Sequence, residues 1–207
     1  MGEDGDRFRC LAGTGTSEVK EKGSRFLGEA VPVASEEEAR ARVAAVRARL
    51  HDATHHAWAL RLGHGDGSIH RGHDDGEPSG TAGAPILAAI DGRGLTGALV
   101  IVTRWFGGVK LGTSGLARCY GGAAAAALDA APVREGFRQE RIPFRVSHGD
   151  LPVARRVVYR AQGTFADERY GADAFIVASV RRSRAAAVRR ALVDATAGRV
   201  RFEEEGG

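Results

Sequence analysis

THHAWALRL (residues 54–62), GHDDGEPSGTAGAP (72–85) and GALVIVTRWFGGVKLGTSGL (97–116) decide how this chain reads. The first alternates over His55–Leu62, as a half-buried strand does. The third carries the aliphatic, β-branched run Leu99–Thr103, a buried strand. That strand runs into Arg104, Trp105, Phe106, Gly107 and Gly108, and two aromatics before two glycines are poor core material. The glycines let backbone approach a neighbour or ligand closely, and the aromatics offer flat faces. Upstream lies an acidic turn, Asp74, Asp75, Gly76, Glu77 and Pro78. The segment therefore reads as a built surface site.

Outward from it, residues 9–14 and 17–34 read as strands, with Gly15 and Gly23 as breakers. Ser35 and Glu38 form a capping box that opens a helix to about Leu50. Residues 63–79 are rich in Gly, Asp and His and predict no regular structure. Residues 79–81 lead into a helix ending near Ile90. Thr113 or Ser114 caps another, which Pro132 follows after Ala131. A second pattern begins at Phe137. It has a strand over 137–147, a helix capped by Asp150 to about Ala161, and strands over 163–170 and 174–180. A helix capped by Ser183 runs to about Ala195, and a short strand over 199–202 ends the series. This order, βαββαβ, is the ferredoxin-like plan. Two α+β domains are expected, 1–134 and 137–207.

The chain has 207 residues and a formal net charge of +4. Residues 1–136 hold 16 Lys/Arg against 17 Asp/Glu, whereas 137–207 hold 14 Arg and 9 Asp/Glu, a net of +5. The basic tail suits a polyanionic partner; the plainer reading is an Arg-for-Lys compositional bias. No apolar run is long enough to span a bilayer. The opening MGEDGDRF has no apolar h-region, so no secretory signal is expected. Cys10 and Cys119 lie far apart without a C-x-x-C pattern, as two reduced thiols of a cytoplasmic protein would.

Four groups of residues are candidates for chemistry. Gly107, Gly108, Gly112 and Gly115 join a strand to a helix whose N-terminus, with Lys110 and Ser114, suits a phosphate or carboxylate. The loop has neither Walker nor dinucleotide-binding spacing, so a tight turn is the plainer reading. Asp74, Asp75 and Glu77 either complement a helix dipole or pair with Arg104; a weak Mg²⁺ site is the remote option. Six of seven histidines fall within 51–73. No zinc spacing occurs, and His55 and His56 point to opposite faces of a strand, so no metal is expected. Arg155, Arg156 and Arg160 share one tail helix, and Arg189 and Arg190 the other. They form a candidate phosphate-backbone surface or simply a solvated face. No G-x-S-x-G or other catalytic constellation appears, so no enzyme and no cofactor are expected.

At these residues the chain resembles the IMPACT family, including its bacterial YigZ-like branch. THHAWAL, DDGEPSGTAGAP and GALVIVTRWFGGVKLGTSGLARCYGGA carry the resemblance, over roughly residues 15–130. The tail is similar to the smaller bacterial C-terminal domain, which resembles the last domain of elongation factor G. The resemblance implies an N-terminal domain like the second domain of a small-subunit ribosomal protein, a sheet with helices on one side. It implies a role in controlling translation, through RNA or the ribosome or through a protein partner. His73 stands where the family usually has Ser. The expected protein is a cytoplasmic regulator that binds nucleic acid or the ribosome. The alternatives are an enzyme acting on a phosphorylated small molecule at the Asp74–Glu77/Arg104–Gly115 cleft, or a protein-interaction module.

Overall fold

Alternation along residues 98–105 sends Ala98, Val100 and Val102 into one core and Leu99 and Ile101 into another, so the strand is covered on both faces. The computed structural model describes residues 3–204. Its elements begin with β1 (Arg7–Leu11), β2 (Gly15–Glu21), β3 (Ser24–Pro32), α1 (Glu36–Arg49), β4 (His55–Leu62), β5 (Ile69–His73) and α2 (Gly83–Asp91). They continue with β6 (Leu95–Thr96), β7 (Ala98–Trp105), α3 (Gly112–Ala130), β8 (Val133–Phe137) and β9 (Gln139–Val146). The last are α4 (Leu151–Arg160), β10 (Thr164–Tyr170), β11 (Ala174–Arg181), α5 (Arg182–Ala195) and β12 (Arg201–Phe202). The chain divides into one unit of residues 8–135 and another formed by the residues up to Arg7 with those from Gly136 onward.

In the larger unit a five-stranded sheet runs β2-β3-β7-β4-β5, with all neighbours antiparallel. A small sheet, β6-β1-β8, accompanies it. Helices α2 and α3 cover the face that carries Phe26, Ala57, Ala59 and Val100. The α+β class holds, and one-sided coverage describes α2 and α3. Helix α1 adds a layer on the opposite face, where Ala39 and Val46 meet Leu60, Leu99 and Ile101. The alanine run of α3 follows from its close approach to the sheet. A Cβ on Gly15 would stand 2.2 Å from the Ala127 carbonyl oxygen, and one on Gly28 would stand 2.7 Å from that of Ala123. Only small residues on both sides allow backbone to lie that near.

The Ser35 half of the α1 capping box forms, while Glu38 reaches one residue past the cap. The Glu38 N–H donates to Ser35 Oγ at 3.1 Å, and Glu38 Oε2 accepts from the Ala34 N–H at 2.9 Å. Other expectations need correction. Residues 69–73 are not irregular, because the free edge of β4 recruits them as β5 in spite of their polar composition. Neither Thr113 nor Ser114 caps α3, which begins at Gly112 without a side-chain cap. The strand expected over 137–147 is broken between β8 and β9 at Arg138, whose N–H is drawn to the Asp6 carbonyl at 2.7 Å.

In the smaller unit the sheet order is β10-β11-β9-β12. With α4 and α5 as crossovers this is the ferredoxin-like βαββαβ arrangement. Both helices pack on one face, against Ile142, Phe144, Ile176 and Val180. Asp150 occupies the N-cap position of α4 but makes no capping bond. Its carboxylate instead accepts from Arg199 at 2.7 and 2.9 Å and from Ser147 Oγ at 3.0 Å. Nor does Ser183 cap α5. Its N–H donates to the buried carboxylate of Asp6 at 2.5 Å, a cap supplied from the far end of the chain.

Candidate functional site

The acidic turn is built by backbone conformation. Asp75 (φ +51°) and Gly76 (φ +86°) occupy the centre of a tight turn closed by the Glu77 N–H on the Asp74 carbonyl at 3.1 Å. Positive φ at both central residues defines a type I′ turn, which explains the Asp-Gly pair. Each carboxylate then has a separate duty. Asp74 accepts the N–H groups of Gly80, Ala82 and Gly83 at 2.8–2.9 Å and so caps the entry to α2. Asp75 accepts the His56 N–H at 2.6 Å and Arg47 at 2.7 Å. Only Glu77 turns to Arg104. His73 Nδ1 accepts the Asp75 N–H at 3.1 Å, the bond a Ser hydroxyl supplies in a turn of this kind.

Burial alone would raise the Asp74 carboxyl, yet the donors from Gly80, Gly83 and Ala82 hold it below its ordinary value of 3.8. Asp75 is likewise lowered: the His56 N–H and Arg47 outweigh desolvation. A depressed folded value contributes stability above the unfolded pKa that is lost as pH falls through the folded one. Thermal stability should therefore fall progressively below about pH 4, and Asp74→Asn should blunt that dependence. An unchanged profile between the two proteins would contradict the capping role.

Arg104, 4% exposed, emerges from the end of β7 into a closed network. Its guanidinium donates to Glu77 Oε1 at 2.5 Å and to Ser24 Oγ at 3.3 Å. The fully buried Tyr120, from α3, donates its hydroxyl to the same Glu77 oxygen at 2.8 Å. Burial, and then Glu77, push that phenol far above its ordinary value, so it remains a donor. Phe26 lies 5.3 Å from the guanidinium and meets Tyr120 edge-on at 5.2 Å. His55 Nε2 is 3.8 Å from Glu77. Arg104 Nε has no partner among the described residues. The sequence pointed to Arg104 and the acidic turn but not to Ser24, Phe26 or Tyr120, which lie 80, 78 and 16 residues from Arg104 in the chain.

Gly107 pins the loop that follows. A Cβ there would sit 1.9 Å from the Gly23 carbonyl carbon, so the β2–β3 turn and this loop touch through backbone. The Gly107 N–H donates to Ser24 Oγ at 3.1 Å. Trp105 is not an open face, since its Nε1 donates to Asp52 at 3.0 Å and Arg25 covers its ring at 3.8 Å. Phe106 is 47% exposed and, with exposed Val109, Lys110 and Ser114, forms the outer loop. Gly108 and Gly112 adopt positive φ, +85° and +71°, and a Cβ added at either would meet no neighbouring residue within 4 Å.

Among the described residues no group of three or more His, Cys, Asp and Glu is placed to hold a metal ion. His56 is buried, with Nδ1 3.2 Å from Thr103 Oγ1, and burial lowers its pKa. Cys10 and Cys119 are buried free thiols.

The tail arginines divide. Arg155 is tied to Glu168 and, at 2.7 Å, to the Tyr170 hydroxyl. Arg189 meets Glu140 at 3.3 Å. Arg156, Arg160 and Arg190 stand exposed, and Arg160 lines a groove between α4 and α5 with Val157, Arg184 and Val188. The same unit presents a second basic surface that the helical pattern did not reveal, on the sheet face away from α4 and α5. Arg141, Arg145 and Phe175 alternate there with the core-facing Ile142, Phe144 and Ile176.

Residues 22–128 match the Impact N-terminal domain. An IMPACT family member of Thermus thermophilus, encoded in the pol 5′ region, is 47% identical over 149 residues, covering 71% of this chain and 78% of that one. The IMPACT family member YigZ of Escherichia coli (strain K12) is 44% identical over 108 residues, 52% of this chain and 53% of its own. The crystal structure of a hypothetical protein, 29% identical, aligns over 97% of this chain and 99% of its own with a TM-score of 0.72. Among the described residues no helix is long and apolar enough to cross a membrane.

Proposed function

The chain belongs to the IMPACT family, and on that footing we propose that it is a cytoplasmic regulator of translation that binds RNA or the ribosome. The family resemblance supports the regulatory part of this reading. One observation supports the polyanion-binding part: residues 137–207 carry a net charge of +5, and that charge is mounted on an ordered sheet-and-helix unit. Phosphate contacts made by such a surface release counterions, so binding should be steeply salt-dependent and nearly blind to sequence. Titrating the full chain into labelled single-stranded RNA at a series of salt concentrations tests this. The expected result is a line of log affinity against log salt that falls by about 0.7 per phosphate contact. Salt-insensitive binding, or none, would count against it.

The two units are also proposed to fold separately, since each carries its own buried cluster. Limited proteolysis should then cut first between Ala131 and Arg138 and leave a protected N-terminal fragment. Cleavage confined to the chain ends would contradict the division.

A further inference from the structure

We propose that single-stranded RNA is held at one end of the outer face of the tail sheet, with a base stacked on Phe175 and phosphates on the arginines around it. This deepens the RNA-binding reading above and rests on it. In the ferredoxin-like unit, Ile142, Phe144, Val146, Ala174, Ile176 and Val180 point toward α4 and α5. The alternate positions on the same strands must therefore point the other way. The register aligns four of them in one row across four strands: Arg201 opposite Arg145, Arg145 opposite Phe175, and Phe175 opposite Arg169. Phe175 is partly exposed on a central strand, and the guanidinium groups of Arg145 and Arg169 lie over its ring, 5.1 and 5.4 Å from the centroid, so a stacked base would take the place of one of them. Arg141 adds a further exposed cation on this face, and Arg181 lies at its end, 3.6 Å over the Phe137 ring.

Charge and shape favour one occupant. In the row itself, Asp167 and Glu203 pair with Arg169 and Arg145. The Arg169 side chain is 75% exposed even so. Exposed pairs of this kind are weak and yield readily to a phosphate. Guanidiniums one and two strand spacings apart suit a flexible, phosphate-bearing chain, and the ring between Arg145 and Arg169 suits an unstacked base. Four-stranded RNA-recognition sheets bind single strands in this way, by stacking bases on aromatics exposed from their strands. A duplex has no unstacked base to offer, so discrimination against double-stranded RNA follows. The helix face has an exposed aromatic of its own, Tyr159, beside Arg156 and Arg160, and its Arg155 and Arg189 pair with carboxylates as Arg145 and Arg169 do. The sheet face is set apart by the register, which fixes Phe175 between two arginines on rigid neighbouring strands.

The test uses the full chain and a short fluorescein-labelled oligouridylate, followed by anisotropy. Three variants are compared: Phe175→Leu, the double variant Arg145→Gln/Arg169→Gln, and the helix-face double variant Arg156→Gln/Arg190→Gln. Thermal melts establish that each folds. Phe175→Leu should weaken binding about tenfold with the salt slope unchanged, because stacking is lost and no phosphate contact is. The sheet-face double variant should flatten the slope by the share of two phosphate contacts. The helix-face variant should bind within about twofold of the parent. If the sheet-face variants bind as the parent does while the helix-face variant weakens, the site is wrong and the RNA-binding reading survives. If the parent binds no RNA and no ribosomes at any salt, both fall. If ribosomes are bound but free RNA is not, the surface recognises protein and the RNA site is overturned.

Discussion

Arg104→Ala is expected to destabilise the larger unit by about 3–5 kcal/mol, because it strands a carboxylate in a dry site. Glu77 is itself buried, and its Oε1 receives both Arg104 and the Tyr120 hydroxyl. Without the guanidinium, one neutral donor would face that charge, and Glu77 would have to take up a proton or draw water inward. The double variant Arg104→Met/Glu77→Leu should lose less than the sum of the two single changes, since it removes the charge and its partner together. Urea unfolding at constant m-value reads both quantities. A loss below about 1 kcal/mol for Arg104→Ala, the size expected of an exposed pair, would mean that the network is not closed to solvent.

Gly107→Ala should cost nearly as much, about 3 kcal/mol, at the top of the range for forcing volume into a packed contact. The methyl would lie within bonding distance of the Gly23 carbonyl carbon. The β2–β3 turn would have to withdraw and take Ser24, a partner of Arg104 and of the Gly107 N–H, with it. Gly108→Ala makes a useful contrast. Its space is open but its φ is +85°, so only the left-handed strain of roughly 1–2 kcal/mol applies. Equal midpoints for the two variants would show that the β2–β3 turn yields at little cost and that the close approach does not fix glycine at 107.

Local periodicity made most of the fold legible. The alternation in His55–Leu62 and the apolar run at 99–103 marked β4 and β7, and the order of elements after Phe137 marked the ferredoxin-like unit. What escaped depends on partners distant in sequence. Strand β5 forms because β4 offers it an edge, not because of its own residues. The cap of α5 comes from Asp6, and no spacing rule joins residue 6 to residue 183. The candidate site was half visible. Arg104 facing the acidic turn could be read from a strand end and a helix start, whereas Tyr120 and Ser24 are brought in by tertiary packing. In the tail, counting arginines on helices drew attention to Arg155, Arg156, Arg160, Arg189 and Arg190, of which Arg155 and Arg189 pair with Glu168 and Glu140. The strand alternation that sets Arg145, Phe175 and Arg169 in one row was present in the sequence. It acquires meaning only once the register is known.

Sedimentation of ribosomes from the native host, with the pellet probed for this protein at low and high salt, tests the RNA- or ribosome-binding role most directly. The account predicts co-sedimentation at low salt, release as salt rises, and loss of the low-salt pellet signal in the Arg145→Gln/Arg169→Gln variant. Protein that stays in the supernatant at every salt concentration, while ribosomes pellet normally, would contradict it.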